Sequence, residues 1–186
     1  MNVSKEEIRD ILISWLVLSF AFTKLFSSDF FDFAQFPGMV IIVGTAFVLH
    51  EMAHKVQAQR FGYPAEYRMW PAGLLLALAS SFAGFIFAAP GAVQIFSYEY
   101  DEKAMGRIAS SGPASNMIVA LLFLPLSLFF KYKLFAMVAG INAAIALFNL
   151  FPIGPLDGRK ILAYNKMLWG LLALMAFVIV IITQKG

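Results

Sequence analysis

The chain has 186 residues, of which 61% are apolar and only 13% charged, with a mean hydropathy of +0.78. A soluble domain carries roughly 25% charged residues, so this chain lacks the polar surface for water and reads as an integral membrane protein. The net charge of +3 is 14 basic residues against 11 acidic ones, a surplus that reports membrane topology, not nucleic-acid binding. There is no cysteine, which excludes disulfides, thiolate metal ligands and a thiol nucleophile.

Six stretches without Asp, Glu, Lys or Arg follow in chain order: residues 11–23, 33–50, 69–98, 108–130, 134–156 and 167–184. A spanning helix needs about 17–25 mostly apolar residues. The expectation is an all-α membrane protein, a polytopic bundle of five to six transmembrane helices. The first stretch is the shortest. Its acidic and basic start (Lys5, Glu6, Glu7, Arg9, Asp10) is unlike a signal peptide, so it reads as a retained helix over about 9–27. The Phe-rich stretch 26–36 reads as an interfacial belt. The 69–98 stretch mixes Pro71, Ser80, Ser81, Gly84 and Pro90-Gly91 with the β-favouring run from Val93 to Tyr98. It reads as a short re-entrant or β-containing hairpin at about 67–100. The whole chain, 1–186, reads as one membrane-embedded domain, with a core over 38–160 and peripheral helices at about 9–27 and 166–184.

Both histidines fall in His50-Glu51-Met52-Ala53-His54, near the end of an uninterrupted apolar helix. On a helix, positions i and i+4 share a face. Two imidazoles there can bind one Zn²⁺, and the intervening Glu51 can serve as general base. Ionisable groups at membrane depth are costly and usually functional. A catalytic zinc takes three protein ligands, and with no third His and no Cys the third must be a carboxylate. Asp29, Asp32, Glu66, Glu99, Asp101, Glu102 and Asp157 are candidates. Asp157 stands in Asn149-Leu-Phe-Pro152-Ile-Gly154-Pro155-Leu156-Asp157-Gly158, where two prolines and a glycine unwind a helix end. Unwound backbone at membrane depth is tolerated where it lines a cavity. On spacing alone, a solvated helix-end carboxylate paired with Arg159 or Lys160 explains Asp157 as well.

His50-Glu51-x-x-His54, Gly112-Pro113-Ala114-Ser115-Asn116 and Asn149-x-x-Pro152-x-x-Pro155-Leu156-Asp157-Gly158 together resemble the site-2 protease family of intramembrane metalloproteases (peptidase family M50). The motifs occur in family order over residues 50–158. The resemblance implies one Zn²⁺ per chain held by His50, His54 and Asp157. It implies Glu51 as the catalytic base, and Asn149 and Asn116 as substrate-binding or oxyanion residues. The implied substrate is a transmembrane segment of another membrane protein, and the chain would be a minimal core without PDZ or CBS domains. Two other readings are a membrane metallopeptidase acting on soluble or unfolded peptides and a non-enzymatic metal-binding membrane protein.

A shared zinc also constrains topology. The ends of the helices carrying His54 and Asp157 must lie on one side, so one of the two stretches between them cannot cross. The irregular 69–98 stretch is the one expected to enter and leave on the same face. With it re-entrant, the Lys and Arg residues divide ten to four, against eight to six for six crossings. The positive-inside rule then expects a multi-pass cell-membrane protein with its site near the cytoplasmic face.

Overall fold

The N-terminal helix α1 (Lys5–Phe26) begins where the Ser4 hydroxyl accepts the Glu7 N–H. In the computed structural model, which describes residues 3–27, 32, 34–87, 89–96 and 101–184, this helix is not plain membrane filler. It buries Glu7, Asp10 and Ser14 against the rest of the chain. Helix α2 (Phe36–Arg60) follows and carries both histidines. Between Gly44 and Val48 it widens into a π-turn, in which the Leu49 N–H donates five residues back to Gly44 O.

The irregular stretch then forms strand β1 (Ala65–Met69), the 12-residue helix α3 (Pro71–Phe82) and strand β2 (Gly91–Ile95). The strands pair antiparallel, Ala65 opposite Ile95 and Met69 opposite Gly91. The two ends of the stretch therefore meet, and α3 rises only about 18 Å, short of a hydrocarbon core of about 30 Å. The β-containing hairpin expected at 67–100 is present, starting two residues earlier; residues 97–100 lie outside those described.

Helix α4 (Glu102–Phe130) starts at Asp101, whose carboxylate accepts the N–H groups of Lys103 and Ala104. Its end is a left-handed Lys131 with φ 51°, which turns the chain straight back into α5 (Lys133–Asn149). After an unwound segment come α6 (Asp157–Tyr164) and α7 (Lys166–Gln184). Helix α4 packs along α5, and α2 and α6 pack on α4. Fully buried alanines (Ala120, Ala143, Ala146 and Ala176) let α4, α5 and α7 approach closely.

Three helices among the described residues are long and apolar enough to cross a membrane: Phe36–Arg60, Glu102–Phe130 and Lys166–Gln184. Pro71–Phe82 and Lys133–Asn149 are shorter apolar helices. Helix α1 has the length, but five of its first six residues are charged. Large apolar side chains face outward, Phe129 at 81% and Met167 at 76% exposure, as suits a lipid surround and not water. Of the Phe-rich stretch, residues 28–31 and 33 lie outside those described.

Candidate metal centre

His50 and His54 sit one turn apart on α2, as their spacing requires, and both are buried. Their Nε2 atoms lie 3.0 Å apart. Asp157 Oδ2 stands 3.1 Å from His54 Nε2 and 3.4 Å from His50 Nε2, with its side chain 12% exposed. These three residues form the one group among the described residues whose His, Asp or Glu ligand atoms converge closely enough to hold a metal ion.

The unwound segment explains how Asp157 reaches the histidines. Helix α5 ends at Asn149, and Gly154 turns the chain with φ +54°. Gly158 then passes under the end of α5, where a Cβ would fall 2.0 Å from Leu150 O. The same carbonyl accepts the Trp169 indole N–H from α7 at 2.7 Å, which pins the loop. Asp157 itself opens α6, where the helix dipole favours an anion. Burial alone would raise its carboxyl pKa; the His54 and His50 imidazoles outweigh this and hold it below the usual carboxylate range.

On the opposite side, α4 is shaped to the imidazoles. A Cβ on Gly112 would fall 2.3 Å from His54 Nε2 and 2.7 Å from His50 Cε1, so only glycine fits there. His54 Nδ1 lies 2.8 Å from Ile108 O, and His50 Nδ1 lies 2.6 Å from Asn116 Oδ1. A backbone carbonyl only accepts, so His54 Nδ1 carries a proton and Nε2 is the nitrogen turned toward Asp157. A proton on His50 Nδ1 leaves its Nε2 placed the same way. Two imidazole nitrogens and a carboxylate oxygen within 3.4 Å of one another call for a shared cation, a proton or a metal ion, among them. The donor set thus fits a metal ion, and its two nitrogens and one oxygen suit zinc.

Glu51 is half-buried, and its Oε2 accepts the Val93 N–H of β2 at 3.1 Å. Asn116 is fully buried behind His50. Its Nδ2 donates to Ala46 O and to Asn142 Oδ1, and its Oδ1 faces His50. This side chain has no polar atom left for a substrate, so the substrate-side role implied by the resemblance is not what its placement offers. Asn149 closes α5 and donates to Ile145 O; it makes no hydrogen bond to His50, His54 or Asp157. Other carboxylates considered as ligands are engaged elsewhere. Asp32 binds Ala34 N and Gln35 Nε2, Glu66 binds Arg68 and Ser4, and Asp101 caps α4. Glu102 is exposed; Asp29 and Glu99 lie outside the described residues.

A protein of Methanocaldococcus jannaschii named "Putative zinc metalloprotease MJ0611" is 36% identical to this chain over 177 residues, 92% of this chain and 91% of that protein. The chain belongs to its zinc metalloprotease family. A second member of similar name, "Putative zinc metalloprotease YwhC" of Bacillus subtilis, is 28% identical over 158 residues, 72% of this chain and 71% of its own. No family model matches the chain, and no solved structure does. The sequence carries no assignment of the roles that Gly112, Asn142, Val93 and Trp169 play around the site. A Gly-Pro pair inside a helix and a lone Asn in an apolar run were the visible signals for the first two. Val93 and Trp169 act through a backbone amide and a loop carbonyl, which leave no motif.

Proposed function

We propose that the chain is an intramembrane zinc metalloendopeptidase of the site-2 protease type. It hydrolyses a peptide bond in or near a transmembrane segment of a membrane-protein substrate, at a site near the cytoplasmic face. The observation that carries this reading is the convergence of His50, His54 and Asp157 at the end of a 25-residue apolar helix, Phe36–Arg60. The hairpin supports the topology: because β1 and β2 pair, α2 and α5 run in the same direction with only α4 crossing between them. The ten-to-four split of Lys and Arg then favours the cytoplasmic side.

His50, His54 and Asp157 would hold the zinc; when bound, it supplies a Lewis acid and an acidified water. Glu51 is the proton carrier. Val93 N–H anchors its Oε2, which leaves Oε1 to take a proton from the attacking water and pass it to the leaving amine. Asn149, at the mouth of the unwound segment, is the remaining candidate for an oxyanion donor. A substrate helix hides its carbonyls in its own hydrogen bonds and must unwind to be cut. The β2 edge offers the unwound peptide a partner strand.

The test is zinc content per chain in detergent-purified protein, beside cleavage of a reconstituted single-span substrate. Wild type should hold about one zinc and Asp157→Ala much less. Glu51→Gln should keep the zinc and lose at least about 100-fold in cleavage. Full zinc in Asp157→Ala would remove that ligand. Cleavage of soluble unfolded peptides but not of the membrane substrate would move the activity to a general membrane metallopeptidase. Unchanged function in Glu51→Gln would make the protein a non-enzymatic metal binder.

A further inference from the structure

We infer that Asn116 and Asn142, acting with the π-turn of α2, form a positioning relay that fixes the tautomer of His50 before any metal arrives. The inference rests on His50 being a metal ligand and adds how that ligand is set.

The relay is determined atom by atom. Asn142 Nδ2 donates to Val138 O at 2.9 Å and to Thr45 Oγ1 at 3.0 Å. Val138 O can only accept, so the Asn142 amide cannot flip, and its Oδ1 must point at Asn116. Asn116 Nδ2 donates to that Oδ1 at 3.0 Å and to Ala46 O at 2.8 Å. Ala46 O also only accepts, so Asn116 is locked in turn, with Oδ1 facing His50 Nδ1 at 2.6 Å. An amide oxygen accepts; His50 must therefore carry a proton on Nδ1, which leaves Nε2, the nitrogen facing His54 and Asp157, as the one that can bind a metal. Every polar hydrogen of both amides is used, and both side chains are completely buried.

The π-turn of α2 contributes two groups to the relay. Ala46 lies inside the wider turn over Gly44–Val48, and its carbonyl accepts from Asn116 of α4 at 2.8 Å. The Thr45 hydroxyl, from the same turn, donates to Ile42 O and accepts from Asn142. Three elements, α2, α4 and α5, thus contribute to the orientation of one imidazole. His54 needs no such relay, because Ile108 O holds its Nδ1–H directly.

A group that holds a histidine's far nitrogen typically contributes about 10–100-fold to metal affinity. The experiment measures zinc affinity by chelator competition in detergent, beside the melting temperature of the metal-free protein. Asn116→Leu removes both donor and acceptor and should weaken zinc by about 10–100-fold. Asn116→Asp keeps an acceptor for His50 but sets a second oxygen against Ala46 O. It should melt lower than wild type, yet bind zinc within a few-fold of it. Asn142→Ala, a milder change that frees Asn116 to turn, should weaken zinc several-fold. Retention of wild-type affinity in Asn116→Leu would overturn the relay, as would an equal loss in Asn116→Asp and Asn116→Leu. Wild-type protein that binds no zinc at all would remove the metal centre itself, a different failure from either.

Discussion

Gly112→Ala separates the metal centre from the fold more sharply than any ligand substitution. A Cβ at this position would lie 2.3 Å from His54 Nε2, 2.6 Å from His54 Cε1 and 2.7 Å from His50 Cε1. Ordinary contact begins near 3.4 Å, so the His54 ring must retreat by roughly 1 Å, several times the ±0.2 Å that metal–ligand distances tolerate. His54 cannot simply slide away, because its Nδ1 is tied to Ile108 O on the same helix as the new methyl. A displacement of this size is expected to cost at least about 100-fold in zinc affinity, or about 2.8 kcal/mol at 1.4 kcal/mol per tenfold. Intrinsic preference runs the other way, since alanine favours a helix interior over glycine by about 1 kcal/mol. The metal-free variant should therefore melt within a few degrees of wild type while its zinc affinity collapses. Chelator competition and thermal melting on one preparation read both quantities. Stoichiometric zinc held within threefold of wild-type affinity would refute the reasoning, because it would mean that the imidazoles do not occupy the space Gly112 leaves.

The buried Lys55–Glu7 pair, fully enclosed on both sides, predicts a loss of about 3–5 kcal/mol when one partner is removed. Glu7→Gln should lower the melting temperature more than the double variant Glu7→Gln/Lys55→Met does, and the reverse order would count against an uncompensated buried charge. Ile95→Pro removes an N–H on the outer side of β2 without touching the β1–β2 ladder, where proline is tolerated. It should slow cleavage of a transmembrane substrate while zinc content stays at wild type; unchanged cleavage would argue against strand pairing. Trp169→Phe loses the indole bond to Leu150 O and should weaken zinc several-fold by loosening the Asp157 loop, as chelator competition would report.

Much of the site was legible because its signals are local. The His50 and His54 spacing encodes a shared helix face, and Pro152, Gly154 and Pro155 encode the unwinding that delivers Asp157. The hairpin was legible from its mixed composition, Pro71, Gly84 and Pro90-Gly91 beside a β-favouring run. What escaped depends on partners far along the chain. Glu7 and Asp10 read as the charged start of a membrane helix, yet they are buried against Lys55, Tyr67 and Met69, about 50–60 residues away. Asn116 read as a substrate contact because nothing nearby in sequence announces Asn142 or Ala46 O as its partners. The π-turn over Gly44–Val48 has no residue signature. Among the described residues, three helices reach the length and apolarity of a membrane span; α5 is 17 residues long and α1 spends its first turns on buried charge.

The small sheet raises a solvation problem that α1 resolves. Hydrocarbon offers nothing to an outward peptide N–H, so an open strand edge is not viable against lipid. On β1 the outward amides of Tyr67 and Met69 are met by the Glu7 and Asp10 carboxylates. On β2 the outward amide of Val93 is met by Glu51. Carboxylates here act as stand-ins for the carbonyls of a missing third strand. The β1 edge is therefore closed without a neighbouring chain, and the residues that read as surface charge in α1 are what insulate it.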